Sequence, residues 1–346
     1  MNARALIVAG SRTDEDRYGV QSAERVTAAL SSRGWQAEML HASDGKAIVR
    51  RLMDDAPDVV VPVGFGPPCE DGHIHAVARI LGVPCAGPTP AAGSLMQDKA
   101  SLSRFVRAAF GASRGIRPPR GCEITVGLPV TEIKRRIAQV PVPLVLKPSW
   151  SGSSEGLHVV QTHEEAVAWI SDQLGREGKL LVQMLEEPLH EVSCTVVDTR
   201  DGPWFLPVVE LLRGEAPVMG IAEKFGDEAL GRHRVSPPLR GQLAEKLQTA
   251  VLELHEAVGS KGLTRTDILI LPGDELVILE MNGIPGLLES SIACDAARAA
   301  GLSFADLCVL YAESAFLQRP EPDVWGFRDR SVKSPADLKR EYVADA

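Results

Sequence analysis

Two carboxylates, an amide and a guanidinium stand close together in KGLTRTDILILPGDELVILEMNGIPGLLESS, residues 261–291, as Asp267, Glu280, Asn282 and Arg265. Two apolar β-favouring runs flank Pro272-Gly273-Asp274, a hairpin signal. With the turn centred between Gly273 and Asp274, Asp267 falls opposite Glu280 and Arg265 opposite Asn282. Side chains alternate faces along a strand, so all four share one face. Two carboxylates opposed across a ladder repel each other. The all-oxygen set Asp267, Glu280 and Asn282 suits a hard cation such as Mg²⁺, and Arg265 beside it would face an anion sharing that metal. Metal plus arginine on one patch points to phosphoryl transfer. The plainer alternative, a solvated hairpin face with a charged rim, leaves the opposed carboxylates unexplained.

Other stretches must supply the rest of such a site. In PLVLKPSWSGSSEGLHVV, residues 143–160, two strands bracket a Gly/Ser-rich loop holding Ser153 and Ser154, and Lys147 closes the first strand. Backbone N–H groups and hydroxyls in such a loop can cradle phosphates; a flexible hairpin tip is the alternative. The lysine precedes the loop and a strand follows it, so this is not the GxxxxGK[ST] pattern. The strand LLVQMLEEP, residues 180–188, could present strand-edge backbone at Gln183, Met184 and Leu185 to a purine, with Glu191 near ribose hydroxyls. Residues 212–238 are rich in Gly and Pro, carry Lys224 and Phe225, and read as a long loop or lid. Lys99 follows Asp98 in a helix expected over about 91–110, where an isolated Asp-Lys is ordinarily a surface pair. Ser290 and Ser291 precede the helix IACDAARAAG, either as a cap or as a carboxylate contact.

The chain opens with a βαβαβ rhythm: RALIVA at 4–9, a helix over about 20–33, QAEML, a helix near 44–54 and DVVVPV at 58–63. This predicts a small doubly wound parallel sheet, with ligand loops at 10–19 and 64–72. Glu15 lies in the first loop, although a lone glutamate there is ordinarily just exposed. The length of 346 residues predicts two or three domains. A 45% hydrophobic and 24% charged composition is that of a globular protein. The net charge of −9, without a basic run, argues against nucleic acid as partner. No apolar run approaches the roughly 20 residues of a membrane span, and no signal-peptide pattern opens the chain. Six scattered cysteines, at 69, 85, 122, 194, 294 and 308, read as reduced thiols in a cytoplasmic protein.

Five motifs then coincide: the SA-containing first helix, FGPPCEDGHIHAVARILGVPCAGPTP, MQDK, LKPSWSGSSEG and the RTD…LEMNGIPG hairpin. Each alone is weak. In this order and spacing they resemble the ATP-grasp enzymes, and within them the D-alanine–D-alanine ligase family, over about residues 4–310. The resemblance implies an α/β ATP-grasp fold of three lobes: a Rossmann-like substrate lobe at 1–95, a central lobe at 96–186, a C-terminal lobe at 187–315 and a peripheral tail at 316–346. ATP would sit between the second and third lobes. Lys99 and Lys147 would hold its phosphates, with Ser153 and Ser154 folding over them, and Lys224 would reach in from the lid. Gln183 to Leu185 would hold adenine, and Glu191 the ribose. Asp267, Glu280 and Asn282 would bind two Mg²⁺ ions, with Mn²⁺ able to substitute. Arg265 and the Gly286 N–H would stabilise charge at the reacting carbonyl; Ser291 would contact the second substrate and Glu15 the first. The implied activity joins two amino acids through an acyl phosphate, releasing ADP and phosphate, in a cytoplasmic homodimer.

The chain also departs from that pattern. Phe65 stands where the family has histidine, Lys224-Phe225 where it usually has Lys-Tyr, and Trp150 and Glu155 are uncommon in the phosphate loop. Intact catalytic parts with altered substrate-facing parts imply changed specificity, as in a specialised biosynthetic pathway. Two alternatives follow: a hydroxy-acid acceptor giving an ester, or a nucleotide-binding protein without ligase activity.

Overall fold

The apolar run RALIVA becomes β1 (Arg4–Ala9), followed by α1 (Asp16–Ser32), β2 (Gln36–His41), α2 (Gly45–Asp54), β3 (Val59–Pro62) and α3 (His73–Ile80). The computed structural model describes residues 3–10, 16–111, 114–150, 156–212, 233–239 and 241–317. Glu15, Ser153, Ser154, Lys224, Phe225 and most of the expected tail therefore lie outside the described residues. The three strands form a parallel sheet in the order β2-β1-β3. Its two faces are covered separately: Ile7 and Val61 pack with Val26 and Leu30 of α1, while Leu6, Val8 and Val60 pack with Ile48, Leu52 and Ile74 of α2 and α3. Two-sided burial explains the unbroken apolar runs of β1 and β3. At the carboxyl ends of β1 and β3 the backbones nearly touch. A Cβ on Gly64 would stand 2.0 Å from the Gly10 carbonyl oxygen.

Two further layers follow. The helices α4 (Pro90–Gln97) and α5 (Lys99–Phe110) lead into β4 (Ile116–Arg117), β5 (Gly121–Thr125), α6 (Val130–Ile137), β6 (Leu144–Pro148), β7 (His158–Val160), α7 (His163–Glu177) and β8 (Lys179–Met184). Strands β5-β8-β6-β7 make an antiparallel sheet with its own core of Ile124, Ile137, Leu146, Ile170 and Val182. The last part contains β9 (His190–Thr199), β10 (Gly202–Phe205), β11 (Val209–Leu211), β12 (His233–Val235), α8 (Gly241–Val258), β13 (Leu263–Leu271), β14 (Glu275–Asn282), α9 (Ile292–Ala299) and α10 (Phe304–Glu313). Its sheet runs β12-β11-β9-β13-β14-β4, with β10 beside β9. One face packs on α4, α5 and α8 through Met96, Leu102, Leu247, Ile268 and Ile278. Residues 96–117, at the start of the expected central lobe, thus share the large sheet's core. Helices α9 and α10 bind the large sheet to the first: Val197, Leu263, Leu307 and Tyr311 lie in one core with Ile7 and Val61, and the Tyr311 hydroxyl donates to the Pro62 carbonyl at 2.8 Å. Among the described residues no single helix is long and apolar enough to cross a membrane. All six cysteines are free, five of them buried.

One expectation fails instructively. The helix expected over 91–110 is two helices, broken at Asp98, whose backbone is extended (φ −85°, ψ 95°). The Asp98 carboxylate accepts hydrogen bonds from the N–H groups of Ala100 (3.1 Å) and Ser101 (3.4 Å), from Lys179 Nζ (2.8 Å) and from the Ser149 hydroxyl. An aspartate that captures the first free donors of a helix becomes its N-cap and ends the preceding one. Lys99 thereby becomes the first residue of α5, aimed out of the break.

Burial would raise the Asp98 pKa, but the bonds from Lys179, Ser149 and Ser101 outweigh it and hold the group at about 2, below the ordinary 3.8. A carboxylate with a depressed folded pKa stabilises the fold above its unfolded pKa and loses that contribution as the pH falls. This group therefore withdraws about 2 kcal/mol between roughly pH 4 and pH 2. Asp98→Ala is expected to cost about 2–4 kcal/mol at neutral pH and to flatten that part of the acid-unfolding profile. Thermal and acid unfolding followed by circular dichroism check both; a variant that melts like the parent contradicts them.

Candidate active site

Pairing in the β13–β14 hairpin sets Arg265 opposite Asn282 and Asp267 opposite Glu280, as expected. The route to that register differs. Leu271 pairs with Glu275, leaving Pro272, Gly273 and Asp274 as a three-residue loop, with φ of +79° at Gly273 and +61° at Asp274. This puts the inner ladder one residue away from the expected register. A bulge, which takes up Leu279 between the Ile268–Ile278 and Asp267–Glu280 pairs, restores it. The bulge also lets Leu279 and Glu280 both line one cleft.

On the cleft face Arg265 grips Asp267 in a fork, Nε to Oδ1 and Nη2 to Oδ2, both at 2.9 Å. The same Nη2 lies 3.3 Å from Glu280 Oε1, and Lys99 Nζ lies 3.4 Å from Glu280 Oε2. Ser193 of β9 donates to Asp267 Oδ1 at 2.5 Å. Asn282 Oδ1 accepts the Ile284 N–H at 2.8 Å, turning the chain into the Gly-Ile-Pro-Gly loop. Burial would lower the Arg265 pKa, but Asp267, Glu280 and then Glu70 outweigh it and raise it above arginine's ordinary value. Asp267, Glu280 and Asn282 are suited to a divalent cation: all offer oxygen, and one guanidinium nitrogen already touches both carboxylates. Among the described residues no three His, Cys, Asp or Glu side chains converge, so such a site would need the Asn282 amide.

The cleft lies between the four-stranded and the large sheet and is partly open to solvent. One end is an apolar slot between Val145, Met184 and Leu185 on one side and Leu211, Leu269 and Leu279 on the other; Gln183 and Glu191 line it too. Strand β8 is not the sheet edge expected from the sequence, because β5 pairs with its outer side. The N–H groups of Met184 and Leu185 already donate to the carbonyls of Arg120 and Pro143, both at 2.8 Å. Backbone left for a ligand therefore lies at the strand's end, at Leu185 and Glu186. Lys99 and Lys147 line the middle of the cleft next to the hairpin carboxylates.

At the other end stand Phe65, Gly286, Ser290, Ser291 and Ile292. Ser291 occupies the N-cap position of α9, yet its side chain makes no capping bond. Its oxygen instead accepts the Leu288 N–H at 2.9 Å, which leaves the hydroxyl proton free to donate. Phe65 is buried against Gly286, where a Cβ would come within 3.3 Å of the ring. Glu70, Gln97 and His233 are polar lining residues to which the sequence reading gave no role. Glu70 accepts the Gly66 N–H and faces Arg265; Gln97 lines the middle, its amide donating to the Trp150 carbonyl at 3.0 Å; and His233 bonds Asp295. Glu70 had a sequence signal in its place in the 64–72 loop, and Gln97 in the MQDK motif.

A family model, D-ala D-ala ligase C-terminus, matches residues 129–310, more than half of the chain. The chain belongs to the D-alanine–D-alanine ligase family. A curated relative from Desulforudis audaxviator, a D-alanine–D-alanine ligase, is 29% identical over 309 residues, covering 89% of this chain and 96% of the relative. The relative of the same name from Moorella thermoacetica is 29% identical over 311 residues, covering 88% and 96%. Among solved structures, a D-alanine–D-alanine ligase from Bacillus anthracis complexed with ATP superposes with a TM-score of 0.74 at 18% identity, covering 91% of this chain and 97% of that one. The VanG D-Ala:D-Ser ligase from Enterococcus faecalis gives 0.75 at 20% identity, covering 91% and 100%. These likenesses establish an ATP-grasp fold. Against the D-alanine–D-alanine ligase pattern, the Phe65 ring makes an apolar wall where histidine is usual.

Gly286→Ala would place its Cβ 3.1 Å from Ser291 Oγ and 3.3 Å from the Phe65 ring. Such overpacking is expected to cost about 1–3 kcal/mol, and Gly286→Ala should cost less when made in a Phe65→Ala background, where the crowding ring is gone. Melting temperatures of the parent, the two single variants and the double variant check this; an undisturbed Gly286→Ala protein contradicts the tight packing of this end.

Proposed function

We propose that the protein joins two amino acids at the expense of ATP, through an acyl phosphate, and that its substrates differ from the family's usual pair. It is an ATP-dependent ligase. The observation that carries the site assignment is the hairpin face, where Arg265, Asp267 and Glu280 meet beside Lys99 at the floor of a two-sheet cleft. A binder alone has no use for a guanidinium aimed at a reacting centre.

A carboxylate resists attack by an amine because oxide is a poor leaving group; phosphorylation supplies a good one. In this reading the apolar slot takes the adenine, with Glu191 on the ribose. Lys99 and Lys147 hold the phosphates, assisted by Ser153, Ser154 and Lys224, which lie outside the described residues. Asp267, Glu280 and Asn282 would hold two Mg²⁺ ions, which spread the charge of phosphoryl transfer when bound. Arg265 and the Gly286 N–H then stabilise the oxyanion that forms as the second substrate's amine attacks. The free proton of Ser291 and the first N–H groups of α9 take the second substrate's carboxylate, and Glu15 orients the first. ATP and Mg²⁺ as reactants suit a cytoplasmic enzyme. The family likeness suggests a homodimer, which light scattering tests.

Phosphate release from ATP should require Mg²⁺ and two amino acids together, with a product mass equal to their sum less water. Release with an amino acid and a hydroxy acid instead would make the product an ester, and nucleotide binding without turnover would remove the ligase reading. Glu280→Gln should lower turnover at least about a thousandfold with unchanged circular dichroism. Near-parental activity in that variant would show that Glu280 is not a metal ligand.

A further inference from the structure

His233 opens β12, paired with Leu211 of β11, and its ring lines the cleft and bonds to Asp295 of α9, the helix that Ser291 precedes. Nδ1 lies 2.7 Å from Asp295 Oδ2, and the side chains are only 11% and 18% exposed. Asp295 is fixed in turn: Arg298 donates to its other oxygen at 2.7 Å, and its N–H donates to the Ser291 carbonyl at 3.2 Å. Asp295 stands four residues after Ser291, so both lie on one face of α9. The imidazole is thus held from behind, one helical turn from the serine assigned to the second substrate's carboxylate.

A short bond to a carboxylate requires the proton on Nδ1. In the Nδ1–H tautomer the ring offers its Nε2 lone pair, an acceptor, to whatever stands in front of it. No described residue bonds that nitrogen. The contrast is with His255, equally tied to an aspartate. His255 is fully buried away from the cleft, and both nitrogens are used, on Thr264 at 2.9 Å and Asp198 at 3.2 Å. His255 is a core pin, whereas His233 is a pin with a free end in a binding cleft.

We infer that His233 is a specificity-determining residue for the second substrate, accepting a hydrogen bond from a hydroxyl or amide on that substrate's side chain. The inference rests on the ligase reading. A methyl side chain would leave the mostly buried Nε2 facing no donor, and a carboxylate side chain would present a second acceptor to it. With Phe65 forming an apolar wall nearby, the histidine is the feature that separates a hydroxyl from a methyl. A site built around such a bond rejects analogues that lack the donor.

The test pairs a fixed first substrate, ATP and Mg²⁺ with second substrates of the accepted handedness that differ by one group: serine against 2-aminobutyrate, threonine against valine, glutamine against glutamate. Phosphate release gives kcat/KM, and product mass confirms coupling. The parent should favour the hydroxyl or amide member at least tenfold. His233→Ala should bring that ratio to near one with KM for ATP and for the first substrate unchanged. His233→Gln, which keeps an acceptor oxygen, should restore part of it. The inference is overturned if the parent shows no such preference, if it favours glutamate, if His233→Ala keeps the ratio, or if that variant weakens ATP and both substrates alike. Absence of turnover with every pair would overturn the ligase reading itself and this inference with it.

Discussion

Two carboxylates facing each other across a β-ladder repel by about 3 kcal/mol at the dielectric usual near a protein surface, and the site is organised around cancelling that repulsion. Arg265 does so with one planar group, forking onto Asp267 and reaching Glu280. Lys99 adds a second positive charge at Glu280, and Ser193 satisfies a further lone pair of Asp267. An arginine suits this place better than a lysine, because its fork matches a carboxylate edge and stays charged when buried. The same cluster is the chemical resource of the cleft: carboxylates that can exchange a guanidinium contact for a metal contact, and a guanidinium then available to a developing anion.

The remaining architecture keeps that patch at the floor of a cleft. The large sheet buries one face of the hairpin against α4, α5 and α8 and turns the other face towards the four-stranded layer. Asp98 links these bodies: it breaks the helix that would carry Lys99 elsewhere, caps the next one, and ties both to Ser149 and Lys179 of the smaller sheet. Tyr311 and α10 fasten the parallel sheet to the large one, which brings Phe65 and Glu70 to the far end of the same cleft. Nucleotide-sized apolar space, lysines, a charged hairpin and a serine-led helix therefore follow one another along one groove. That order suits activation of a carboxylate followed by attack on it.

Much of this was legible in the residues, and the failures have identifiable causes. The functional half of the hairpin was readable because side-chain chemistry repeats with the strand period. The turn was not, because a bulge at Leu279 cannot be seen in an apolar run, and it happened to offset the error in loop length. The edge position assumed for Gln183–Leu185 failed because GCEIT at 121–125 gave too short a signal to be read as the strand that covers β8. The helix break at Asp98 depends on Lys179 and Ser149, both distant in sequence. His233 and Ser193 escaped for the same reason, since only the register of β9 against β13 and of β12 beside α9 gives them partners. Ser291 was left open between two roles; its hydrogen bond from Leu288 disfavours the capping one.

The account stands on oxygen ligands from one β-ribbon meeting a divalent ion beneath a nucleotide. Crystals grown with Mn²⁺ and a non-hydrolysable ATP analogue, measured at the manganese edge, test this most directly. Anomalous peaks bounded by Asp267, Glu280 and Asn282, with Arg265 released from its fork on Asp267, are the predicted result. Bound analogue with manganese elsewhere, and the guanidinium still clasping both carboxylates, would contradict it.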